Sequence, residues 1–168
     1  MKLKNDKNLS ISTKIAQALH FSDPETGSVV PSIDHSATYS RDENYQPRQA
    51  YWYRRDGNKT TQLAEEIISE LENANASLLF SSGMSACTAV LEMLPAEAHI
   101  AVPRVMYHGV LGQIQNFASK NRIRVDYYEA GDLASMESVI KNGVTQLVWV
   151  ETPNNPNWEV TDLSLIHI

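Results

Sequence analysis

Hydrophobic positions divide the chain into two parts of different pattern. In the first fifty residues the one helical period lies between Leu9 and Leu19, where four apolar side chains share a face: Ile11, Ile15, Ala18 and Leu19. Turn residues follow at 23–27, and nothing beyond them alternates long enough to form an internal strand. We therefore predict that residues 1–50 form an arm that packs against something else.

From residue 51 onward, helical and strand periods alternate. The predicted helices lie at 60–73, at 83–94, around Val110 to Phe117, and after Asp132, which has the N-cap position. The predicted strands are four short apolar runs at 77–80, 99–103, 123–127 and 146–150. The last run is almost purely apolar, as is typical of a strand covered on both faces. This alternation predicts right-handed βαβ units and a mostly parallel sheet, that is, an α/β fold.

Composition narrows the classes of function. The 168 residues fit one domain or one domain plus a tail. Fourteen Lys and Arg against twenty Asp and Glu give a net charge of −6, which predicts no nucleic-acid partner. No apolar stretch approaches the ~18 residues of a membrane span. Cys87 is the only cysteine, so an internal disulfide and a multi-cysteine metal site are excluded, and a reducing, cytoplasmic location fits.

Open parallel sheets bind ligands beyond the carboxyl ends of their strands, so the segments after each strand are the candidate sites. The segment Ser81–Ser85 places Gly83 at the start of a helix, where free N–H groups and the helix dipole form a cradle for one phosphate. The alternative is a turn of small residues that lets the helix pack closely. The GxxxxGK[ST] and GxGxxG nucleotide motifs are both absent.

Three further segments carry candidate chemistry. Tyr107, after the second predicted strand, is either a core plug or a stacking platform for a flat ring. Asn155, in a turn rich in Pro and Asn after the last strand, either belongs to a rigid turn or points into the site. Before the sheet, Tyr53 and Arg55 are suited to hold a phosphate, and the alternative is a solvated loop.

Five motifs, in order over residues 27–162, resemble the cystathionine γ-synthase family of pyridoxal-phosphate enzymes of cysteine and methionine metabolism. The matching segments are Val30–Tyr39 with V-P-P-I-Y-x-x-S-T-Y, Tyr53–Thr60 with Y-x-R-x-x-N-P-T, Ser81–Met84 with S-S-G-M, Tyr107–Val110 with Y-G-G-T, and Glu151–Pro156 with E-T-P-x-N-P. The resemblance implies an inter-subunit arm over 1–50. It also implies, over 51–162, the first part of a large fold-type-I cofactor domain, truncated within its parallel sheet.

The resemblance also implies roles for single residues around pyridoxal 5'-phosphate. The backbone amides of Gly83 and Met84 would bind the cofactor phosphate. Tyr107 would stack on the pyridine ring and act as a catalytic residue, and Asn155 would lie near the ring hydroxyl. Tyr53 and Arg55 would reach the phosphate of a neighbouring subunit, which implies a homodimer or homotetramer.

The implied function is that of the N-terminal part of an enzyme of sulfur amino-acid metabolism, including methionine biosynthesis. Its substrate would be a small amino acid, and its reaction an elimination or replacement at the β- or γ-carbon, as in cystathionine synthases and lyases. One alternative is a catalytically dead subunit of the same fold that pairs with a full-length partner. Another is a nucleotide-binding α/β module, which lacks its glycine motif.

The chain departs from the family pattern at Lys59, where the family has proline, and at His108 and Val110, where it has glycine and threonine. Gly109 stands where methionine γ-lyases have cysteine, which argues against that member. The Schiff-base lysine and the acidic partner of the pyridine nitrogen follow E-T-P-x-N-P in the family, beyond Ile168, so we expect the 168-residue chain to be inactive. Residues 163–168 also match the translation of a transposon-end adapter, and we predict a non-native tail. The alternative is an ordinary apolar element.

Overall fold

A computed structural model describes residues 9–19 and 21–166, and the chain forms two compact units, residues 1–79 and 80–168. The arm boundary predicted after residue 50 lies within the first unit, and that division of the chain stays a prediction. No helix in the described ranges is long and apolar enough to cross a bilayer.

The first unit contains two helices, α1 (Ile11–Ala16) and α2 (Lys59–Leu71). Helix α1 is shorter than predicted because Ala18 and Leu19 have positive φ angles of 42° and 58°, which end the helical path. Helix α2 begins where Asn58 caps it, with its side-chain oxygen accepting the Thr61 N–H at 3.0 Å.

The segment between the two helices of the first unit is irregular. Two isolated antiparallel bridges pair Thr38 with Tyr53 and Arg41 with Pro47. Residues 9–50 also contact α2 directly, since Lys14 pairs with Glu70. The arm segment is thus tied to the helix that follows it in the chain.

The second unit alternates helices and strands as predicted. Its elements are α3 (Gly83–Glu92), β1 (Ala98–Pro103), α4 (His108–Ser119), β2 (Ile123–Tyr128), α5 (Leu133–Val139), β3 (Thr145–Val148) and α6 (Leu163–Ile166). The three strands are parallel in the order β2-β1-β3. The prediction of an α/β fold with a parallel sheet flanked by helices is confirmed.

Strand β1 is the centre of the core, because all six of its residues are buried. Ile100 and Val102 pack in a cluster that includes three side chains of α4, the helix predicted around them: Val110, Ile114 and Phe117. On the opposite face, Ala101 packs with Tyr128 and with Met136 of α5. Both faces of the sheet are therefore covered. Successive residues of β1 point to opposite faces, as expected of a strand.

Two predicted strands differ from the structure. The strand predicted at 77–80 is wrong, because residues 75–80 form no strand and the Leu78 side chain is 74% exposed. An apolar run indicates a tendency to be buried, whereas a strand also needs a neighbouring backbone with which to pair. Strand β3 is shorter than predicted and only half-buried, since it lies at an edge of the described sheet.

Candidate functional site

The first residues of α3 present free backbone donors. The Ser82 hydroxyl oxygen accepts the Ser85 N–H at 3.1 Å, and the Ser82 carbonyl accepts from Ala86 at 3.2 Å. The N–H groups of Gly83 and Met84 have no acceptor in the described part of the chain. A Cβ added at Gly83 would meet no heavy atom within 4 Å. Two unpaired N–H groups at a helix start beside open space are suited to an anion.

Tyr107 follows β1 and is the N-cap residue of α4, where its side chain makes no capping bond. The Tyr107 residue is 38% exposed, so the interpretation of it as a core plug is wrong. Its ring lies close over Gly109: a Cβ there would be 2.7 Å from Tyr107 Cε1 and 3.2 Å from Met84 Sδ. Gly109 therefore lets the ring of Tyr107 approach the start of α4 and the side chain of Met84.

The turn after β3 is joined to Tyr107 through Glu151. One carboxylate oxygen of Glu151 accepts the Tyr107 N–H at 2.9 Å, and the other accepts the Asn155 N–H at 3.0 Å. Asn154 is buried, and its side-chain amide donates to the Val105 carbonyl at 3.3 Å. The loops after β1 and β3 are thus held together by two side chains from the β3 loop.

The structure brings four predicted site residues together at the carboxyl edge of the sheet. Gly83 and Met84 begin α3, Met84 lies beside Tyr107 at Gly109, and Glu151 joins Tyr107 to Asn155. This is the edge at which open parallel sheets bind their ligands.

Sequence reasoning did not single out Glu151 or Asn154 as functional. One feature of the sequence could have identified Glu151: it is a charged residue directly after an apolar predicted strand, inside the E-T-P-x-N-P motif.

Tyr53 and Arg55 lie in the first unit. Both side chains are exposed, and the Arg55 guanidinium carbon lies 5.1 Å from the centroid of the Tyr53 ring. Arg55 has no ion-pair partner among residues 9–19 and 21–166. Together with Arg54 and Asn58, these two residues line a cavity of about 410 Å³. A guanidinium without a counter-charge beside a phenol is chemically suited to an anion.

Nearby in the same unit, Asp34 joins the arm to α2. Its backbone N–H donates to the Thr60 hydroxyl at 2.8 Å, and its carboxylate accepts the Tyr39 hydroxyl at 2.7 Å. That hydrogen bond raises the pKa of Tyr39 to about 12 and is the largest cause of the lowered pKa of Asp34. The Arg54 guanidinium donates to the Asp34 carbonyl at 3.1 Å, so Asp34 also positions an arginine of the cavity.

Comparison with known proteins identifies the relatives of this chain. The sequence profile of the family described as Cys/Met metabolism PLP-dependent enzyme matches residues 12–167. Chloroplastic mimosinase of Leucaena leucocephala is 35% identical over 159 residues, which are 94% of this chain and 35% of that protein. Cystathionine beta-lyase of Lactococcus lactis subsp. cremoris is 32% identical over 157 residues, or 94% of this chain and 41% of that protein.

This chain also superposes on solved structures. Cystathionine gamma synthase from Xanthomonas oryzae pv. oryzae, in complex with cystathionine, superposes with a TM-score of 0.84 at 29% identity; the match covers 94% of this chain and 41% of that one. The metB structure from Corynebacterium glutamicum has a TM-score of 0.83 at 28% identity, covering 93% and 40%. The chain therefore spans between 35% and 41% of the length of these proteins.

Pyridoxal 5'-phosphate is the cofactor of this family, and the residues present fit it. A phosphate needs donors without internal partners, which Gly83 and Met84 offer, together with room that the missing Cβ of Gly83 leaves open. A flat ring needs an accessible aromatic surface, which Tyr107 offers. With the family profile matching nearly the whole chain and the parallel sheet superposing on its solved members, the chain belongs to the Cys/Met metabolism PLP-dependent enzymes.

Proposed function

We propose that this chain is the cofactor-binding part of an enzyme that eliminates or replaces a group at the β- or γ-carbon of a sulfur amino acid or an activated homoserine. The observation that supports this most directly is the series of contacts from α3 through Tyr107 and Glu151 to Asn155 at the carboxyl edge of the sheet. When bound, pyridoxal phosphate supplies an electron sink for negative charge at the substrate Cα.

Each of the four residues has a distinct role in this proposal. The N–H groups of Gly83 and Met84 bind the phosphate, and the positive end of the α3 dipole strengthens that contact. The Tyr107 ring would stack on the flat pyridine, and its hydroxyl would hold or move a proton. The Asn155 side chain orients the ring by its hydroxyl-bearing edge.

The clamp formed by Tyr53 and Arg55 belongs, in this proposal, to the phosphate site of a neighbouring copy. Both side chains are exposed, and Arg55 has no carboxylate partner within the described ranges. These two observations support the binding of an anion that does not belong to their own unit. A homodimer or homotetramer with shared cofactor sites follows.

We further propose that the 168-residue chain by itself does not turn over substrate. In the second unit, Lys120 follows the last residue of α4, about 20 Å along the helix from Tyr107. Lys141 donates to the Asp126 carboxylate of β2 at 2.6 Å and forms no hydrogen bond with Tyr107 or Asn155. Neither lysine is placed to form a Schiff base. The alternative that this observation favours is a catalytically inactive subunit that pairs with a full-length partner.

The location that fits the proposal is the cytoplasm. Cys87 is the only cysteine in the sequence, which fits a reducing compartment. Fractionation of the source cells with antibodies against the chain checks this, and recovery in a membrane or organelle fraction would contradict it.

Binding of pyridoxine 5'-phosphate tests the proposal, because this compound has the ring and the phosphate but no aldehyde to react with surface lysines. We expect the purified chain to bind it in calorimetric titrations. Gly83→Ala should weaken binding about tenfold or more, since in this proposal the phosphate occupies the open space beside Gly83, which the added methyl group would enter. Gly112→Ala is the matched control, because a Cβ there also meets nothing within 4 Å but lies inside α4. A wild-type chain that binds no ligand would contradict the proposed function.

A further inference from the structure

The Glu151 carboxylate is unusual in that both of its oxygens accept backbone N–H groups from site residues. Oε2 accepts from Tyr107, 44 residues away in sequence, and Oε1 accepts from Asn155, four residues away. Glu151 forms no ion pair with a lysine, arginine or histidine of the described chain. Its charge is therefore matched by two amide dipoles, which makes both hydrogen bonds charge-assisted.

The position of the Tyr107 ring depends on these contacts. Tyr107 has φ −53° and ψ 119°, its side chain makes no capping hydrogen bond, and its backbone N–H precedes the first helical N–H of α4. Glu151 holds this N–H from the β3 loop while the ring lies over Gly109. Asn154 makes the second link between the loops, but its bonds end at Val105 and Glu159 rather than at site residues. Of these two links, Glu151 alone joins Tyr107 to Asn155.

We propose that Glu151 is a positioning residue: its two carboxylate oxygens set the distance between Tyr107 and Asn155, so that one contacts the face and the other the edge of the same flat ring. This proposal rests on the proposed function. It requires two acceptors on one side chain. Glutamine retains one acceptor but presents an NH₂ group to the second N–H, so Glu151→Gln should leave either Tyr107 or Asn155 without its partner.

The test compares two probes on the full chain. Pyridoxine 5'-phosphate needs the ring contacts as well as the phosphate contacts of the α3 cradle and the Tyr53–Arg55 clamp, whereas inorganic phosphate needs the phosphate contacts alone. We expect Glu151→Gln to weaken pyridoxine phosphate binding about tenfold or more, and to reduce the circular dichroism induced in the bound ring, with phosphate affinity unchanged. Glu129→Gln is the control, because Glu129 is an exposed carboxylate that follows β2 and pairs with Arg104 at 2.9 Å.

Amide hydrogen exchange gives a readout that needs no ligand. In the wild type the Tyr107 and Asn155 amides should be protected, and Glu151→Gln should raise the exchange rate of at least one of them. Glu151→Asp keeps both acceptors on a shorter side chain, so its affinity should lie between those of the wild type and Glu151→Gln. If Glu151→Gln fails to fold, the affinity of Glu151→Asp provides the test instead.

The outcomes separate this proposal from the proposed function. Wild-type protein that binds neither probe overturns both. Wild-type binding with Glu151→Gln unchanged, or with both probes weakened equally, overturns the positioning role and leaves the proposed function standing. Selective loss of the ring-containing probe, with faster exchange at Tyr107 or Asn155, supports it.

Discussion

At the scale of single residues, Gly109 shows how one hydrogen atom in place of a methyl group determines where an aromatic ring lies. A Cβ at this position would be 2.7 Å from Tyr107 Cε1, a distance that real Cβ contacts do not reach. The neighbouring atoms are a ring and the Met84 sulfur, so any substitution has to move the Tyr107 ring, the helix start, or both. Gly109 is thus required by the close approach of Tyr107 rather than by its own backbone conformation.

Gly109→Ala should therefore displace the Tyr107 ring and weaken binding of pyridoxine 5'-phosphate by about tenfold. Gly112→Ala, three residues further along α4, should leave binding unchanged. Because alanine favours helices more than glycine does, Gly112→Ala should also raise the free energy of unfolding by roughly 0.5–1 kcal/mol. Calorimetric titration and urea denaturation measure the two effects. Unchanged affinity in Gly109→Ala would show that the ring position does not matter for binding.

At the scale of elements, the three strands are joined by a polar cluster around His99. This buried histidine contacts the Thr145 hydroxyl of β3 at 2.8 Å and the Asp126 carboxylate of β2 at 3.1 Å. Lys141 donates to the same carboxylate at 2.6 Å. The hydrogen bond from Lys141, followed by that from His99, lowers the pKa of Asp126 below its ordinary 3.8. The cluster thus holds one strand to each side of β1.

This cluster predicts a pH dependence with a definite sign. A carboxylate with a lowered pKa in the folded state stabilises the fold above its ordinary pKa of 3.8, and that stability is lost as the pH falls through the folded value. Asp126→Asn should therefore reduce stability at neutral pH and flatten the loss of stability below pH ~4. Urea denaturation across pH 2–7 measures this, with Glu129→Gln as a control for an exposed carboxylate ion pair. Parallel pH profiles for wild type and Asp126→Asn would contradict it.

At the scale of the whole molecule, the proposed function requires the Tyr53–Arg55 clamp and the α3 cradle to contribute to one phosphate site. In the proposed function they come from different copies of the chain. Arg55→Ala should weaken binding of pyridoxine 5'-phosphate by about 10- to 150-fold, because it removes a charge-assisted contact. Arg48→Ala is the control, since the Arg48 guanidinium donates to the Arg41 carbonyl outside this cavity.

Mixing two defective variants tests the shared site directly. Gly83→Ala lacks the cradle and Arg55→Ala lacks the clamp, so neither alone has an intact site. After subunit exchange, a dimer with one copy of each has one intact site, and about a quarter of all sites should recover wild-type affinity. Titration of the mixture against the separate variants measures this. No recovery, in a mixture that mass spectrometry shows to contain mixed dimers, would place the clamp and the cradle in the same copy.

The sequence by itself determined the α/β class, helices α2 to α5 and the parallel order of βαβ units, because periodicity and caps are local properties of a chain. Asp132 is an example: its side chain accepts the Ser135 N–H at 3.0 Å and begins α5 as predicted. The positions of Tyr107 and Asn155 after strands were also predictable, since they follow from the rule that ligands bind at the carboxyl edge. Gly83 begins α3 as predicted, although no strand precedes it.

Only the tertiary structure decided which side chains connect those positions. The hydrogen bond from Tyr107 to Glu151 joins residues 44 positions apart, and no periodicity in the sequence predicts such a pair. The contact of Gly109 with the Tyr107 ring depends on the direction of the Tyr107 side chain, which the sequence does not specify. The apolar run at 77–80 predicted a strand but forms none, because pairing depends on a neighbouring backbone rather than on the run itself. Local propensity thus placed the elements of the second unit, while contacts between its distant loops determined the geometry of the candidate site.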